Sequence, residues 1–511
     1  MIAVPRIEEV REPSAMKLSV LTNGLPILER GGATHDPEIV DVVYDSRCTV
    51  PGSLFVAVSG LTRDGTQFVD SALERGAVAV LAGSALPGCA VPWVRVDNPR
   101  SALGHAARRL WSNDAWEGVA VGVTGTNGKT TVSTLVHALL SHRYGSSRTW
   151  LYGTICSVTG GAVHPASHTT PEAADVLRAM GTAPAPPAAL VMEVSSHALA
   201  LHRVAGLCYT AAVWTNLTQD HLDFHNDMES YYQAKKRLFT EYLAKEGKAV
   251  VNVDDPWGAR LAEELDAATV VTYGEQERAD VRIVSWESTW EGSTLACAVG
   301  GSRVVRINSA LVGGFNRYNL GAALATGVAL GFEAGDLVQG LESAAAIAGR
   351  MERVPLDAPF QVVVDYAHTP DALRKVLATV RELTQGRVLC VFGCGGNRDR
   401  TKRALMGEAV ANGADEAVVT SDNPRSENPR SILDDVVSGI PLDFVHRACP
   451  DRRSAIRYAL EQARGGDCVV VAGKGHENYQ EIQGERLPFD DVQVVRELYS
   501  GIARGEVSHA R

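Results

Sequence analysis

The stretch that decides the fold is VAVGVTGTNGKTT, Val119–Thr131. Its first half is rich in valine and carries no charge, as in a buried strand of a parallel sheet. Glycines follow at Gly125 and Gly128. A strand, a glycine-rich loop and a helix in this order are typical of a phosphate-binding loop, whose backbone N–H groups surround the phosphates. We therefore predict a nucleotide site, followed by a helix that begins near Val132.

The residues after the second glycine indicate the chemistry of this loop. The Lys129 ammonium can reach the terminal phosphates, and the Thr130 hydroxyl can bind Mg²⁺. The stricter GxxxxGKT spacing would need glycine where this chain has Val123, so the loop is a variant. A tight strand-to-helix turn with an incidental lysine is the structural alternative. The succession of strand, loop and helix favours the nucleotide site.

Outward from this stretch, Val- and Ala-rich runs alternate with helical patterns along nearly the whole chain. Examples are Ala77–Leu81, Val362–Val364 and Val469–Val471. Because this alternation is the signature of parallel sheets covered by helices, we predict the α/β fold class.

The length of 511 residues is too great for one compact core and fits three domains. One break is indicated near Asp114–Glu117, just before the phosphate-loop strand. A second is indicated near Gly349–Leu356, where prolines flank the start of a new strand. The predicted domains are residues 1–116, 117–354 and 355–511.

Composition excludes several classes of protein. Hydrophobic residues make up 45% of the chain and charged residues 21%, which is ordinary for a soluble globular protein. The net charge of -11 argues against a nucleic-acid or anionic-membrane partner. The nine cysteines are scattered without a CxxC spacing, so we expect reduced thiols. No signal peptide or membrane-spanning run is apparent, and we expect a cytoplasmic protein.

Two segments of the middle domain supply groups that a phosphoryl-transfer site needs. Leu190–Glu193 is predicted to be a strand that ends in a carboxylate, and Asn216–His225 carries Asp and His side chains in close succession. Taken singly, the first pattern is also typical of a solvated or capping residue, and the second matches no zinc template. Their occurrence in one domain with a phosphate loop favours a functional interpretation.

The last third of the chain repeats one arrangement, an apolar strand followed by a glycine-rich or polar cluster. In open parallel sheets, ligands bind at these carboxyl ends of the strands. If the strands are neighbours, one pocket would be shared by Arg398, Asn423, Arg425 and Glu477. Two guanidiniums, an amide and a carboxylate can together hold a zwitterion. Turn chemistry and surface salt bridges are the alternative, which three clusters in succession disfavour.

These patterns together resemble the Mur ligase family. The motifs are DSR (45–47), PGSLFVA (51–57), TGTNGKTT (124–131), EVSSHAL (193–199), NLTQDHLDFH (216–225), DYAHTPDAL (365–373), GCGGNRDRTKR (393–403), DNPRSENP (422–429) and GKGHE (473–477). They follow the order of the family and cover nearly the whole chain. Within the family, the likeness is to the enzymes that add the third residue of the peptidoglycan stem peptide.

The resemblance implies a fold and a reaction. We expect an N-terminal domain that holds a uridine nucleotide, a central P-loop ATPase domain with a parallel sheet, and a C-terminal Rossmann-like domain. The implied reaction adds meso-diaminopimelate to UDP-N-acetylmuramoyl-L-alanyl-D-glutamate through an acyl-phosphate, with ATP and Mg²⁺. The implied partners are these small-molecule substrates, without nucleic acid or membrane, and the expected state is a monomer.

The resemblance also implies roles for individual residues. ATP is expected to contact Gly125, Thr126, Asn127, Gly128, Lys129, Thr130, Thr131, Asn319 and Arg350. The UDP-linked substrate is expected to contact Ser46, Leu61, Thr62, Arg63, Thr169, Thr170, Ser195 and Arg203. The incoming amino acid is expected to contact Arg398, Asp422, Asn423, Pro424, Arg425, Gly473 and Glu477.

The expected catalytic residues are Lys129, Lys235, His221 and Glu193. The resemblance implies that Mg²⁺ is held by Thr130, Glu193, His221 and Lys235, the last as N6-carboxylysine. Such a carbamate turns a cation into an anionic oxygen ligand, which can bind Mg²⁺ as a carboxylate would. The neighbouring Lys236 is the alternative position for the modification.

The expected amino acid follows from the DNPR motif, Asp422–Arg425, which resembles the form in diaminopimelate-adding enzymes. Lysine-adding relatives lack this arginine. Two departures from the family pattern, Asn397 and Leu201, bear on substrate geometry. The alternatives are the same chemistry with L-lysine or another amino acid, a Mur-like ligase of another pathway, and a P-loop protein that hydrolyses ATP only to switch conformation.

Overall fold

The computed structural model describes residues 15–60, 63–111, 116–166, 168–301 and 303–504. Three main sheets, of 5, 11 and 6 strands, follow one another along the chain and are covered by helices. The predicted α/β fold class is therefore confirmed. No helix in these described ranges is long and apolar enough to cross a bilayer.

The first sheet is built from short strands near the N-terminus. The strands are β1 (Met16–Lys17), β2 (Ile27–Gly31), β3 (Glu38–Ile39), β4 (Asp41–Val43), β5 (Ser53–Ala57), β6 (Ala77–Ala82) and β7 (Trp93–Val96). The helices are α1 (Leu18–Leu21), α2 (Val69–Glu74) and α3 (Pro99–Leu110). The strand order is β2-β7-β6-β5-β4, with β2 antiparallel at one edge, while β1 and β3 pair separately.

The second sheet carries the phosphate loop. Its strands are β8 (Val119–Thr124), β9 (Thr149–Tyr152), β10 (Cys156–Thr159), β11 (Ala162–Pro165), β12 (Ala189–Glu193), β13 (Tyr209–Trp214), β14 (Leu243–Asn252), β15 (Val270–Gly274), β16 (Val281–Thr289), β17 (Gly292–Val299) and β18 (Arg303–Ser309). The helices are α4 (Lys129–Tyr144), α5 (Ala173–Thr182), α6 (Ser196–Ala200), α7 (Leu222–His225), α8 (Met228–Thr240), α9 (Pro256–Glu264), α10 (Asn316–Ala329) and α11 (Ala334–Glu342).

The strand order of this sheet puts the phosphate loop in its middle. The order is β11-β10-β9-β12-β8-β13-β14-β15-β16-β17-β18. The strands from β9 to β16 are parallel, and antiparallel hairpins extend both edges. Because β12 and β13 flank β8, the loops after all three strands open at the same edge of the sheet.

The third sheet lies in the C-terminal part of the chain. The strands are β19 (Glu352–Arg353), β20 (Gln361–Asp365), β21 (Val388–Phe392), β22 (Glu416–Val419), β23 (His446–Ala448), β24 (Cys468–Ala472), β25 (Tyr479–Ile482) and β26 (Glu485–Pro488). The helices are α12 (Pro370–Leu383), α13 (Lys402–Gly413), α14 (Pro429–Val437), α15 (Arg452–Gln462) and α16 (Asp491–Ala503). The order is β19-β20-β24-β21-β22-β23, and β25 and β26 form a separate hairpin.

This order makes β24, β21 and β22 adjacent parallel strands. The three clusters that follow them in the sequence therefore open at one edge, as the pocket prediction requires. All three strands are buried, which explains their apolar sequences, interrupted only by Glu416 at the start of β22.

Helix α4 begins earlier than the predicted start near Val132. Gly128 precedes it with φ +85°, a left-handed conformation that a residue with a side chain rarely adopts. The helix therefore begins at Lys129, so the lysine stays beside the loop.

Helix α12 connects the second and third sheets. The turn between β16 and β17 carries Trp290, whose ring packs against the core of the third sheet. Its indole Nε1 donates to the Leu383 carbonyl, at the last residue of α12, over 3.0 Å. The other end of α12 contacts the phosphate loop, as described below.

Candidate functional site

Two buried lysines converge on one carbonyl of the phosphate loop. Lys129 Nζ donates to the Gly125 and Thr126 carbonyls over 3.0 and 2.9 Å. Lys235 Nζ, from α8, donates to the same Gly125 carbonyl over 2.7 Å. Burial lowers the pKa of both amines, and Lys129 further lowers that of Lys235. The loop thus holds two ammonium-bearing side chains whose hydrogen-bond partners are backbone carbonyls.

The two neighbouring lysines of α8 point to different places. Lys235 is 1% exposed and lies under the phosphate loop. Lys236 pairs instead with Glu264 Oε2 over 2.8 Å, with 23% of its side chain exposed. Only Lys235 of this pair is near the nucleotide site.

Glu193, at the end of β12, faces the first turn of α4. Thr130 Oγ1 donates to Glu193 Oε2 over 3.0 Å. Thr154 supports the same carboxylate with its backbone N–H, over 2.7 Å, and with its hydroxyl, over 2.9 Å. Glu193 is 1% exposed. A hydroxyl and a carboxylate oxygen are thus held side by side, a donor set that Mg²⁺ prefers.

Three imidazoles cluster after β12 and β13. The His197 ring centroid lies 4.8 Å from that of His221 and 5.5 Å from that of His225. Burial lowers the pKa of His221 to about 3, although Asp220 opposes the shift. His221 is therefore neutral at pH 7, as a metal-binding imidazole must be. Within the described ranges, no three His, Cys, Asp or Glu side chains form a metal cluster by themselves.

The remaining residues of the loop are held by neighbours from β13 and α10. The Thr126 N–H donates to the Asn216 carbonyl over 2.8 Å. A side chain at Gly128 would clash with Asn319, because its Cβ would lie 2.4 Å from Asn319 Oδ1. Asn319 therefore lies against the loop, as predicted for an ATP contact. Thr131 is buried in the first turn of α4.

The C-terminal domain contacts this loop through α12. Asp371 Oδ2 accepts from Asn127 Nδ2 over 3.0 Å, from Thr218 Oγ1 over 3.2 Å and from Lys375 Nζ over 2.8 Å. The first turn of α12 and the phosphate loop are thus hydrogen bonded directly.

The linker between the second and third sheets touches both candidate subsites. Arg350 Nη2 donates to Thr130 Oγ1 over 3.2 Å, and its guanidinium lies over the Tyr366 ring at 4.6 Å. The preceding Gly349, with φ +64°, lies against the GKGHE loop so closely that a Cβ would meet His476 N at 2.1 Å. Consecutive residues therefore contact the phosphate loop and the amino-acid loop.

The residues predicted to contact the acyl-dipeptide lie beside Glu193. Thr170 Oγ1 donates to the Glu193 carbonyl over 2.8 Å and accepts from the Ser195 N–H over 3.0 Å. Thr169 Oγ1 lies within hydrogen-bonding distance, 3.1 Å, of Thr154 Oγ1. The structure thus brings both threonines and Ser195 to the end of β12.

Arg203 lies slightly further away and is paired. Its Nε is 3.6 Å from Glu172 Oε1, and Arg100 Nε, from α3, is 3.3 Å from the same oxygen. This cluster joins the first and second sheets.

Of the four residues predicted to contact the UDP-sugar, the structure describes two. Ser46 is buried in a short 3₁₀ helix after β4, and Arg63 is exposed. Leu61 and Thr62, predicted to contact the UDP-sugar, lie outside the described residues.

The amino-acid pocket is centred on Lys474, which sequence reasoning did not single out. Lys474 Nζ is 3.2 Å from Asn423 Oδ1, 3.3 Å from Glu477 Oε2 and 3.8 Å from Asp422 Oδ1. Asn423 Nδ2 donates to Glu477 Oε2 over 2.7 Å. The Lys474 side chain has no exposed surface. The predicted meeting of Asn423 and Glu477 is thus observed, with a buried ammonium between them.

Arg425 is fixed by the hairpin β25–β26. Its backbone has φ +52°, its N–H donates to the Glu481 carbonyl over 2.9 Å, and its carbonyl accepts from Gln483 N over 2.7 Å. The guanidinium Nη1 donates to the Gly396 carbonyl over 2.7 Å, and Nε is 3.4 Å from Glu481 Oε2. A one-quarter-exposed guanidinium is held in place by two loops.

The glycine cluster packs directly against the DNPR loop. A Cβ at Gly396 would lie 2.0 Å from the Pro424 carbonyl. Asn397 has φ +53°, and its Oδ1 accepts from Ser426 N over 3.1 Å and from Ser426 Oγ over 2.9 Å. An asparagine suits this left-handed position, so the departure from the family pattern has a local structural role.

Arg398 is where the pocket prediction differs most from the structure. Its side chain is exposed and makes no hydrogen bond or ion pair with any residue in the ranges described. Gly473 lies inside the pocket, with its Cβ position 3.2 Å from Asp422 Oδ2.

Comparisons with known proteins agree with this geometry. The Mur ligase middle domain matches residues 123–327, the glutamate ligase domain of Mur ligases matches 349–475, and the catalytic domain of the Mur ligase family matches 38–111. The first of these segments contains the phosphate loop, and the second contains most of the amino-acid pocket.

Full-length relatives are similar over nearly the whole chain. The UDP-N-acetylmuramoyl-L-alanyl-D-glutamate–2,6-diaminopimelate ligase of Gloeobacter violaceus is 46% identical, covering 91% of this chain and 94% of the relative. The ligase of the same name from Syntrophomonas wolfei is 43% identical, covering 95% and 99%. A solved structure with this name has 34% identity and a TM-score of 0.67, covering 97% of this chain and 100% of that one.

Proposed function

The chain belongs to the Mur ligase family, and on that premise we propose that it adds meso-diaminopimelate to UDP-N-acetylmuramoyl-L-alanyl-D-glutamate. It is an ATP-dependent, amide-bond-forming ligase of peptidoglycan synthesis that works through an acyl-phosphate and releases ADP. The predictions of family, fold class, enzyme class and reaction are confirmed by the domain matches and the full-length relatives.

One structural observation supports the ligase function most directly. The linker residues Gly349 and Arg350 contact the GKGHE loop and Thr130 respectively. The amino-acid pocket is therefore next to the phosphate loop. A ligase needs this proximity because its amine must attack a carbonyl that ATP has just activated. A nucleotide-driven switch would need no such pocket.

For the domains of the enzyme we propose the bounds expected from the sequence. We propose that residues 1–116 bind the UDP-sugar, that 117–354 bind ATP and that 355–511 bind the amino acid. Strand β19 pairs with β20 and begins at Glu352, slightly before the third range. The residue roles predicted above remain proposals.

In the phosphoryl-transfer half of the reaction, the side chains of Lys129 and Arg350 would stabilise the negative charge that develops on the phosphates. Lys129 can turn from the Gly125 and Thr126 carbonyls toward the terminal phosphates of ATP. Arg350, beside Thr130, supplies a second cation from the linker. Mg²⁺, for which Thr130 and Glu193 offer adjacent oxygens, would neutralise the phosphates when bound. Thr154 keeps the Glu193 carboxylate oriented throughout.

The location of Lys235 supports the proposal that it carries the carbamate. A lysine must be neutral to add CO₂, and burial together with Lys129 lowers the pKa of this amine. The modification would replace a second buried cation by an anion beside Lys129. Lys236 is engaged with Glu264 at the surface and lacks this environment.

In the amide-forming half, the chain holds the diamino acid by its charged groups. We propose that Arg425 pairs with the carboxylate that diaminopimelate has and lysine lacks. Glu477 and Asp422 are proposed to accept an ammonium group. With both ends held, the free amine of the other centre can approach the acyl-phosphate.

We propose that the substrates are small molecules and that the protein is a monomer. A nucleotide-sugar substrate and ATP support a cytoplasmic location. Light scattering of the purified protein would test the monomeric state.

The decisive experiment is ADP release measured with ATP, Mg²⁺, the UDP-linked dipeptide and diaminopimelate, each omitted in turn. We expect turnover to require all four, with diaminopimelate preferred to lysine. Robust turnover with ATP alone would contradict the ligase function. A preference for lysine would contradict only the specificity.

A further inference from the structure

The pocket contains a buried cation that none of the roles above uses. Lys474 lies at the carboxyl end of β24 with no exposed side-chain surface. Its Nζ faces the side-chain oxygens of Asn423 and Glu477, and more distantly Asp422. A buried ammonium is costly unless it is paired and hydrogen bonded. Its retention here therefore points to a task in the pocket.

We propose that Lys474 is a positioning residue that sets the formal charge of this pocket and fixes the orientation of Asn423. The inference rests on the proposed function, because it concerns how the diamino acid is recognised. Two carboxylates and one ammonium leave the cluster with one negative charge. The cluster is therefore matched to one incoming ammonium group.

The hydrogen bonds of Asn423 show how its orientation is fixed. Its Oδ1 accepts from Lys474 Nζ over 3.2 Å and from the Glu481 N–H over 3.0 Å, which uses both lone pairs. Its Nδ2 donates to Glu477, leaving one N–H available. Asn423 can therefore offer a substrate a donor but no acceptor. The substrate ammonium must be bound by the carboxylates.

Asp422 provides the open acceptor. Its side chain is 8% exposed, and its Oδ1 accepts no hydrogen bond from any described residue. Lys474 Nζ, at 3.8 Å, is too far for a hydrogen bond but close enough to balance charge. A buried carboxylate oxygen with an unused acceptor position suits an ammonium ligand.

Two other cations beside the pocket are already paired with carboxylates. Arg452 is fully buried and pairs with Asp491 over 2.6 Å, while it also donates to the Ala472 carbonyl over 3.0 Å. Arg425 faces Glu481. Lys474, in contrast, is paired with Asp422 and Glu477, the same carboxylates that are proposed to bind the substrate ammonium. Removing it should leave two uncompensated negative charges.

The test is a double-mutant cycle with Lys474→Met and Asp422→Asn, which are nearly isosteric. Without Lys474, the adjacent carboxylates disfavour each other's ionisation and Asn423 loses a donor that orients it. The single Lys474→Met change should therefore raise the KM for diaminopimelate on the order of 30-fold, with kcat changed much less. Asp422→Asn should raise it about tenfold, because an acceptor is lost. Since the double variant restores one negative charge, its KM should lie below that of Lys474→Met alone. A structural role of Lys474 predicts no such rescue.

Two controls separate the possible failures. The KM values for ATP and the UDP-linked dipeptide should stay within about twofold in every variant, since those sites lie on the second and first sheets. If Lys474→Met does not fold, the double variant still tests the proposal. A KM for diaminopimelate near the wild-type value in that variant would support the charge-balancing role of Lys474. Additive or worse effects in the double variant overturn it. Wild-type protein without diaminopimelate-dependent ADP release would instead overturn the proposed function.

Discussion

At the phosphate loop, the ammonium groups of Lys129 and Lys235 share the Gly125 carbonyl. In the amino-acid pocket, the Lys474 ammonium lies between the carboxylates of Asp422 and Glu477. Both regions bury lysine at the carboxyl end of a parallel sheet, but the first balances it with carbonyl dipoles and the second with full charges. Each site thus offers a charge opposite to that of the ligand proposed for it: the Lys129 cation for a polyphosphate and excess anion for an ammonium.

The largest effect is expected at Lys235. Its carbamate would change the charge of the phosphate-loop region by replacing a buried cation with an anion. We expect Lys235→Ala to lower turnover on the order of 10³-fold and to regain part of it when acetate or formate is added. The measurement is ADP release with all substrates saturating.

The matched control is Lys236→Ala, which removes only a surface ion pair with Glu264. It should retain activity within about twofold. Full activity in Lys235→Ala would refute the carbamate, and loss in the control instead would move the modification by one position.

On the pocket side, Arg425→Ala removes a guanidinium held by Gly396 and Glu481. We expect kcat/KM for diaminopimelate to fall about 10² to 10³-fold, because a charge-assisted pair with the substrate is lost. The KM for ATP should not change, and lysine should gain little.

Arg430, an exposed arginine at the start of α14, provides the control. Arg430→Ala should leave both amino acids within about twofold of wild type. An unchanged ratio of diaminopimelate to lysine in Arg425→Ala would show that Arg425 does not recognise the second carboxylate.

A smaller effect is expected at the contact between helix α12 and the phosphate loop. Asp371→Ala removes the acceptor for Asn127 and Thr218, and we expect the KM for ATP to rise about fivefold. Glu382→Ala, at the exposed far end of the same helix, should have no effect. Equal KM values in both variants would mean that contact with α12 does not influence the phosphate loop.

The smallest effect is expected at Asn397, where this chain departs from its family. Asn397→Asp keeps the acceptor for Ser426 and should change kcat/KM for diaminopimelate by less than about twofold. Asn397→Ala loses both hydrogen bonds and disfavours the positive φ, so we expect a loss of about three- to tenfold. Steady-state kinetics would distinguish the two variants, and equal values would remove the hydrogen-bonding role.

The sequence predicted the sheets well because their central strands are buried on both faces. The runs ending at Thr124, Phe392 and Ala472 became β8, β21 and β24, with bounds within a residue or so of those expected. Neighbouring clusters then met at one edge because parallel strands present their carboxyl ends together. The start of α4 was placed too late because the left-handed conformation of Gly128 lets the helix begin at once.

Side-chain direction could not be predicted in the same way. The motif containing Arg398 lies against the DNPR loop, but only the structure shows that the Arg398 side chain is exposed. Thr154 supports Glu193 from a hairpin without any motif of its own. Lys474 was visible within GKGHE, but its complete burial depends on residues more than fifty positions away. Side-chain direction and burial depend on tertiary contacts, which cannot be predicted from local sequence patterns.

The double attachment of α12 has a practical consequence for recombining such enzymes. Its first turn is hydrogen bonded to the phosphate loop through Asp371, and its last residue accepts from Trp290 in the hairpin β16–β17. A chimaera cut at the linker would take α12 from one parent and both of its contacts from the other. Grafts that exchange amino-acid specificity should therefore start after Leu383, so that the helix and its attachment points keep a common origin.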